Sequence, residues 1–359
     1  MAKRQFPCNS CGADLLFLPG SSKMECPYCG SANELEVPAE DVVEHDYLAK
    51  MRELEECPND ADLVEVKEVD CGACGAKTTL GTEVQAGSCP FCDTPFVTEP
   101  HSEKVIKPHA LLPFKIDSKQ GMKQFESWVT SRWFAPNKLK EYARRSEKLQ
   151  GIYLAHWTYD TSTSTDYSGS RGEYYYVTQS YTDSEGNRKT KQVRKTRWYP
   201  VCGHVYNVFD DILIVANDSL PRKYTKELEP WDLHELVPFA DEYLSGFKSE
   251  HYSVSLRQGF DMAKEEAEPK IDQSIRRDIG GDEQRVHNSY TDWNEVTFKH
   301  ILLPVWVSAY RFHDKVYRVV INARTGEVQG ERPYSWVKIS LAVLAAVALI
   351  AIIVVLANK

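Results

Sequence analysis

The sequence lacks a surplus of positive charge: 43 Lys and Arg stand against 52 Asp and Glu, a formal charge of −9. That excludes a protein that coats duplex nucleic acid through a general basic surface. It lacks an apolar run behind its first basic residues, because Lys3 and Arg4 lead straight into Gln5-Phe6-Pro7-Cys8. No secretory leader is therefore expected, and the N-terminal part is assigned to the cytosol. There is no G-x-x-x-x-G-K-S/T, no H-E-x-x-H and no G-x-S-x-G. These absences remove the phosphate-binding loop, the zinc-protease helix and the nucleophile elbow. The ten histidines do not cluster at ligand spacings. Apolar residues are not scarce, at 42% with 26% charged, so a chain that stays unfolded is excluded. A length of 359 residues leaves room for two or three domains.

What is there begins with cysteine. Eight of the ten cysteines form two copies of one pattern: Cys8-x2-Cys11 with Cys26-x2-Cys29, and Cys71-x2-Cys74 with Cys89-x2-Cys92. The second copy is the first displaced by 63 residues at all four positions. In a reducing compartment such clusters read as metal ligands rather than disulfides. Two cysteines separated by two residues reach one ion from a tight turn, and two such turns supply four thiolates in a tetrahedron, which suits Zn2+. Glycine follows Cys11, Cys29 and Cys74, where the chain needs a permissive backbone; Asp93 departs from that rule. Leu15-Leu16-Phe17 and Thr78-Thr79-Leu80 read as the short strands of zinc ribbons. Four cysteine ligands leave no open position for a catalytic water, so both ions are read as structural. Iron in a rubredoxin-like site is the alternative. Cys57 and Cys202 are left over and read as small apolar side chains.

The last part of the chain is apolar. Ile339 to Ala357 holds 19 residues with no charge and one polar residue, Ser340. A helix of that length spans about 28 Å, close to a bilayer core. Arg332, Tyr334, Trp336 and Lys338 precede it, an interfacial mixture of aromatic and basic residues. The segment is expected to be a transmembrane anchor that leaves the bulk of the chain on the cytoplasmic side, although Lys359 lowers the charge bias.

Residues 1–107 carry 9 basic and 20 acidic residues, a net of −11, and the remainder is net +2. Within the acidic part, Val43, Tyr47, Met51 and Leu54 recur at helical spacing, so Ala39 to Glu56 is read as an amphipathic helix that packs on its own chain or docks a partner. Ser118 is expected to cap a helix carrying Met122, Phe125, Trp128 and Val129. Gly151 to Trp157 reads as a strand and Thr161 to Ser170 as a polar stretch. Tyr174 to Val177 and Lys191 to Trp198 read as hairpin arms around Asp183 to Asn187. Val201 to Ala216 suggests further strands. A helix is expected over Leu256 to Arg277, a strand over Glu295 to Arg311, and a hairpin over Lys315 to Gly330. Leu111-Leu112-Pro113-Phe114 is similar to Leu236-Val237-Pro238-Phe239, and Leu154 with Trp157 to Leu303 with Trp306, which suggests an internal duplication. Arg188, Lys189, Lys191, Arg194, Lys195 and Arg197 form a basic cluster. It reads as a solvated hairpin face, or as a contact for anionic lipid, an acidic protein or nucleic acid.

The paired Cys-x2-Cys motifs occur with Leu111 to Phe114, Phe209-Asp210-Asp211, Asp278 to Arg285, Leu302-Leu303-Pro304-Val305-Trp306 and Asn322 to Val328. In this ordered set the chain resembles bacterial double-zinc-ribbon proteins with a C-terminal membrane helix. These are often labelled primosomal protein N′ (replication factor Y) or superfamily II helicase-like, and some are encoded beside phage-shock protein A. The helicase label finds no nucleotide-binding motif here. The resemblance implies a recruiter at the cytoplasmic membrane and supplies no catalytic residue.

The expected fold is α+β. It places a zinc ribbon at residues 1–36, an acidic helical linker at 37–69, a second ribbon at 70–107, a mixed body at 108–332 and an anchor at 333–359. The metal ligands are Cys8, Cys11, Cys26 and Cys29 for one Zn2+, and Cys71, Cys74, Cys89 and Cys92 for the other. The expected function is that of a non-enzymatic adaptor on the inner face of the membrane, with a protein partner of the phage-shock-A type and no small-molecule substrate. The alternatives are a nucleic-acid-binding accessory protein, and an enzyme using carboxylates between Asp278 and Glu283.

Overall fold

The computed structural model describes residues 6–35, 41–56, 63–72, 77–79, 86–89, 91, 94–97, 101–134, 136, 149–182, 184, 186–312, 315–331 and 333–357. The chain is mixed α+β. Strands β1 (Leu16–Phe17), β2 (Lys23–Glu25) and β3 (Ala32–Glu34) make a small antiparallel sheet. Its buried interior is only Cys8, Leu15, Met24 and Cys26. The unit is completed by the body: Phe17 lies 5.1 Å from Tyr243, edge to face, inside the main core. The Phe17 and Gly20 amides donate to Ser245 O (3.1 Å) and Phe114 O (2.8 Å).

Strand β4 (His45–Asp46) and helix α1 (Tyr47–Glu56) follow. The helix starts eight residues later than the apolar spacing suggests. His45 and Asp46 pair with Phe298 and Thr297, and the Asp46 carboxylate accepts the Ala49 amide at 2.6 Å, which fixes the N-terminus. Val43 is therefore exposed, while Tyr47 is buried and Met51 and Leu54 pack on the main core. The stripe packs on its own chain. A second small region contains β5 (Leu63–Asp70), β6 (Lys77–Thr79), β7 (Ala86–Ser88), β8 (Pro95–Val97) and β9 (His101–Ile106). In it β5 pairs with β6 and β9, and β7 with β8.

The body is built on β10 (Ala110–Leu111), helix α2 (Ser118–Ser131), β11 (Gln150–Thr182), β12 (Arg188–Val215), β13 (Val237–Pro238) and β14 (Lys248–Ser249). Helix α3 (Leu256–Ile279), β15 (Glu283–Phe312), β16 (Lys315–Asn322) and β17 (Val328–Gly330) complete it. The cap of α2 is Asp117 and not Ser118: the Asp117 carboxylate accepts the Gln120 amide at 2.7 Å, and the Gln120 side chain returns a bond to the Asp117 amide. The main sheet runs β12-β11-β15-β10-β13, with β14 on β11 and β16 on β15. Two runs share the order β-α-β-β, namely β10-α2-β11-β12 and β14-α3-β15-β16. Leu154 pairs with Leu303 where the two runs meet. β10 lies parallel to β15 at Ile301, as β14 lies parallel to β11 at Ile152. The segments with similar sequence, Leu111 to Phe114 and Leu236 to Phe239, are instead neighbours, because β10 and β13 pair antiparallel.

Three strands are far longer than their sequence segments suggest. Thr161 to Ser170 is not a break but part of β11. In residues 152–159 every side chain is buried, because both faces of the sheet are covered. One face carries α2 and α3 on Phe114, Tyr153, Trp157, Phe298 and Trp306; the other carries Cys71, Cys89 and Phe91 on Ile152, Leu154, Val305 and Val307. At Asp160 the pattern changes. The register slips against both neighbours, and Asp211 and Glu295 beside it both take φ of 51°. Beyond this row of bulges Thr161, Thr163, Thr165 and Tyr167 are buried, while Ser162, Ser164, Ser168 and Ser170 on the other face are only partly covered and Asp166 is exposed. β15 ends opposite Gly172, and the β11–β12 hairpin continues alone to its tip.

Helix α4 (Trp336–Ala357) is the one helix among the described residues long and apolar enough to cross a membrane, and none of it is buried against the body. It begins three residues before the uncharged run.

His156, His251 and His300 are buried within the body. Burial holds them well below the ordinary imidazole value, at about 4, about 4 and about 3. The unfolded chain takes up these protons near 6.5 and the folded chain only below about 4, so folding stability is lost as pH falls through that interval. Thermal unfolding in detergent is expected to drop between pH 6.5 and 5, before most carboxylates titrate, by an amount approaching ~3 kcal/mol for each imidazole once pH 4 is reached. A melting temperature that stays level from pH 6.5 to 5 would contradict this.

Candidate metal centre

The two N-terminal knuckles are the same turn. Cys8 N donates to Ala13 O at 2.7 Å and Cys26 N to Ser31 O at 2.9 Å. Gly12 N returns to Cys8 O at 2.8 Å and Gly30 N to Cys26 O at 3.0 Å. Each turn ends with its glycine at positive φ, 76° at Gly12 and 70° at Gly30, which explains the glycine after the second cysteine. The turns aim four sulfurs at one point. Cys8 and Cys29 Sγ are 3.6 Å apart, Cys11 and Cys26 Sγ 3.5 Å, and all four lie within 4.8 Å of one another. A tetrahedron with metal–sulfur arms of about 2.3 Å has edges of about 3.8 Å. The donor set and spacing fit one tetrahedral thiolate-bound ion, and Cys8, Cys11, Cys26 and Cys29 could hold it.

Neighbours that the cysteine spacing does not reveal tune these thiols. The Ser31 hydroxyl lies 2.9 Å from Cys8 Sγ and 3.2 Å from Cys29 Sγ, and the Ser10 amide donates to Cys8 Sγ at 3.4 Å. The Ser31 hydroxyl, with the Ser10 amide, brings Cys8 down to about 6, and Ser31 also lowers Cys29. At Cys11 the Ala13 amide favours the thiolate, but the Cys26 and Cys29 thiols oppose it and push the group up to about 12. Only a cation at the centre lets all four thiolates exist together, so metal entry must release protons.

In the second cluster Cys71 and Cys89 are buried against the sheet beside Phe91. Cys89 N donates to Thr94 O at 3.0 Å, the same five-residue turn bond as at Cys8 and Cys26. Cys74 and Cys92 lie outside the described residues, as does Cys57. Cys202 is exposed on β12.

The other segments singled out in the sequence serve the scaffold. Asp211 pairs with Lys299 at 2.9 Å, and Lys299 also reaches Glu44 (3.0 Å) and Asp160 (3.4 Å). Burial raises Asp160 to about 6; burial also opposes the Lys299 charge, but the Asp211 and Glu44 carboxylates hold the ammonium above its ordinary value. This cluster locks the bulge row to the segment before α1. Arg324 is buried and grips Asp232 at 2.5 and 3.0 Å, Glu235, and the Pro113 carbonyl at 3.1 Å. Asp278 accepts the Tyr167 hydroxyl at 2.5 Å, and Asp282 accepts the Tyr174 amide at 2.7 Å. Both carboxylates pin the α3–β15 turn, where Gly280 and Gly281 have positive φ. The basic cluster is exposed along the free hairpin, with Arg194 over Tyr174 (4.1 Å), Arg197 over Tyr175 (5.0 Å) and Lys191 over Tyr181 (5.6 Å).

Compared with family models, with curated proteins and with solved structures, the chain matches none.

Metal analysis of purified full-length protein is expected to give two zinc ions per chain. Cys8→Ser with Cys26→Ser should remove one and leave the other. Cys71→Ser with Cys89→Ser should do the reverse. Two ions retained in either variant would break the assignment.

Proposed function

We propose that this chain is a membrane-anchored scaffold stabilised by two zinc ions, with its ribbons and sheet body presented on the cytoplasmic side. The observation that carries the reading is the union of a four-cysteine centre with a sheet body to which one apolar helix is attached. Phe17 seats the first ribbon in the body core, so the zinc unit and the body act as one surface rather than as beads on a string. A second zinc at Cys71, Cys74, Cys89 and Cys92 is supported by the shared turn bond at Cys89. The shared β-α-β-β order and the mutual exchange of edge strands support an internal duplication of the body. The resemblance to double-zinc-ribbon proteins encoded beside phage-shock protein A suggests a membrane-stress protein as the recruited partner.

A second reading, a nucleic-acid-binding accessory protein, draws on the free hairpin, where Lys191, Arg194 and Arg197 of the basic cluster lie over tyrosine rings of β11. Proximity labelling from the full-length protein in its native membrane, against residues 333–359 alone, separates the two. The scaffold reading expects enrichment of a membrane-associated protein, lost when Cys8 and Cys26 are replaced by serine. Enrichment of nucleic-acid-handling proteins, with salt-dependent oligonucleotide binding lost on neutralising Arg188 to Arg197, supports the second. No enrichment over the anchor alone would sink the scaffold reading.

A further inference from the structure

Strand geometry places residues two apart on one face, and antiparallel partners beside each other on that face. In β11 and β12, Asp166 pairs with His204 and Ser164 pairs with Tyr206. Ser164, Asp166, His204 and Tyr206 therefore share one patch, on the side of the sheet that α3 does not cover. The contacts within it are directional. His204 Nδ1 lies 2.7 Å from Asp166 Oδ1, and His204 Nε2 lies 3.0 Å from Ser164 Oγ. An ionised carboxylate only accepts, so in the neutral ring the proton belongs on Nδ1 and the Nε2 lone pair faces the Ser164 hydroxyl. The Tyr206 ring stands edge to face on His204, with centroids 4.4 Å apart, and limits the ring's rotation.

We propose that Ser164, His204 and Asp166 form an activated-serine site that accepts an acyl group from an ester or thioester. Ser164 is the nucleophile, His204 its base, and Asp166 a positioning residue that fixes the His204 tautomer. Ser164 Oγ attacks the carbonyl carbon and its proton passes to His204 Nε2. The bond from carbonyl carbon to the leaving oxygen or sulfur breaks, and the leaving group departs with that proton. Ser164 is left as an ester. Water, deprotonated by the same imidazole, then hydrolyses the ester and restores the hydroxyl. Ser162 on β11 and Tyr206 on β12 flank Ser164 on the same face and carry the hydroxyls assigned to the oxyanion. The patch is flat and open, with Asp166 76% exposed and His204 34%, so the acyl donor belongs to a large or surface-borne substrate rather than to a small molecule held in a cleft. This goes beyond the scaffold reading and does not depend on any recruited partner.

The face carries its own control. Ser170 Oγ lies 2.9 Å from His287 Nε2, which repeats the serine–histidine half of the arrangement. Among the described residues no carboxylate is bonded to that second ring.

The test is reaction of the full-length protein in detergent with a fluorophosphonate. There Ser164 Oγ forms the bond to phosphorus, fluoride leaves and His204 takes the proton. One phosphonyl group on Ser164, located by peptide mass spectrometry, with Ser170 unmodified, is the expected result. Ser164→Ala should abolish labelling, and His204→Gln should slow it by about 100-fold. Asp166→Asn should slow it too, with part of the rate recovered in Asp166→Glu, a rescue that a merely structural aspartate would not give. Unchanged melting temperatures show that the variants fold. Labelling no faster than in the heat-denatured protein, modification at Ser170 instead, or labelling that survives Ser164→Ala overturns the proposal.

Discussion

The pairing of β11 with β15 is the contact on which the rest of the body is hung. It runs from Gln150 opposite Val307 to Gly172 opposite Glu283. On either side of the Leu154–Leu303 pair each β-α-β-β run lends its short parallel strand to the other, β10 to β15 and β14 to β11. Neither run could complete its own sheet. Because the inner residues of both strands are buried on two faces, each face needs a separate cover. The helices supply one. The other is supplied by residues around Cys71, Cys89 and Phe91 and by the segment containing Leu220 and Leu228. Cys71, Cys89 and Phe91 thus belong to a covering layer of the sheet.

That arrangement links metal ligation to the body's stability. The unit of β1, β2 and β3 has a buried cluster of its own made only of Cys8, Leu15, Met24 and Cys26, too small to hold a fold. Phe17 joins Tyr243 and Phe247 in the main core and ties the unit to the body, and an ion held by Cys8, Cys11, Cys26 and Cys29 would supply the remaining order. Loss of such an ion would loosen the unit, and Phe17 with it.

Much of this was legible in the residues. The repeated cysteine spacing points to the centre formed by Cys8, Cys11, Cys26 and Cys29, and the uncharged run after Lys338 points to α4. Apolar periodicity marks α2 and α3. What was hidden has physical causes. The inward positions of β11 beyond the bulge row are Thr161, Thr163 and Thr165, whose hydroxyls bond to Asn294 O, Asn207 O and the Thr291 hydroxyl. A buried face made of threonine shows no alternation of apolar with polar, so the strand looks like a polar stretch. The grouping of Ser164 and Asp166 with His204 was hidden for a different reason: it exists only once the register across β12 is known. The start of α1 escaped because Val43 extends the apolar stripe past a cap that only the pairing of Asp46 with Thr297 reveals.

The bulge row at Asp160, Asp211 and Glu295 has a mechanical consequence. It divides the long strands into a part covered on both faces and a part covered on one face by α3, and beyond Gly172 the β11–β12 hairpin overhangs like a cantilever. From Gly172 to Thr182 the free arm of β11 extends for about 33 Å at the usual rise per residue, so a tilt of about 5° at its root would swing the tip by about 3 Å. The Lys299 cluster, which ties the row to Glu44 in the segment ahead of α1, fixes the inner end of the strands. Leverage of this kind converts a sub-ångström adjustment where β15 ends into a displacement several times larger at the basic end.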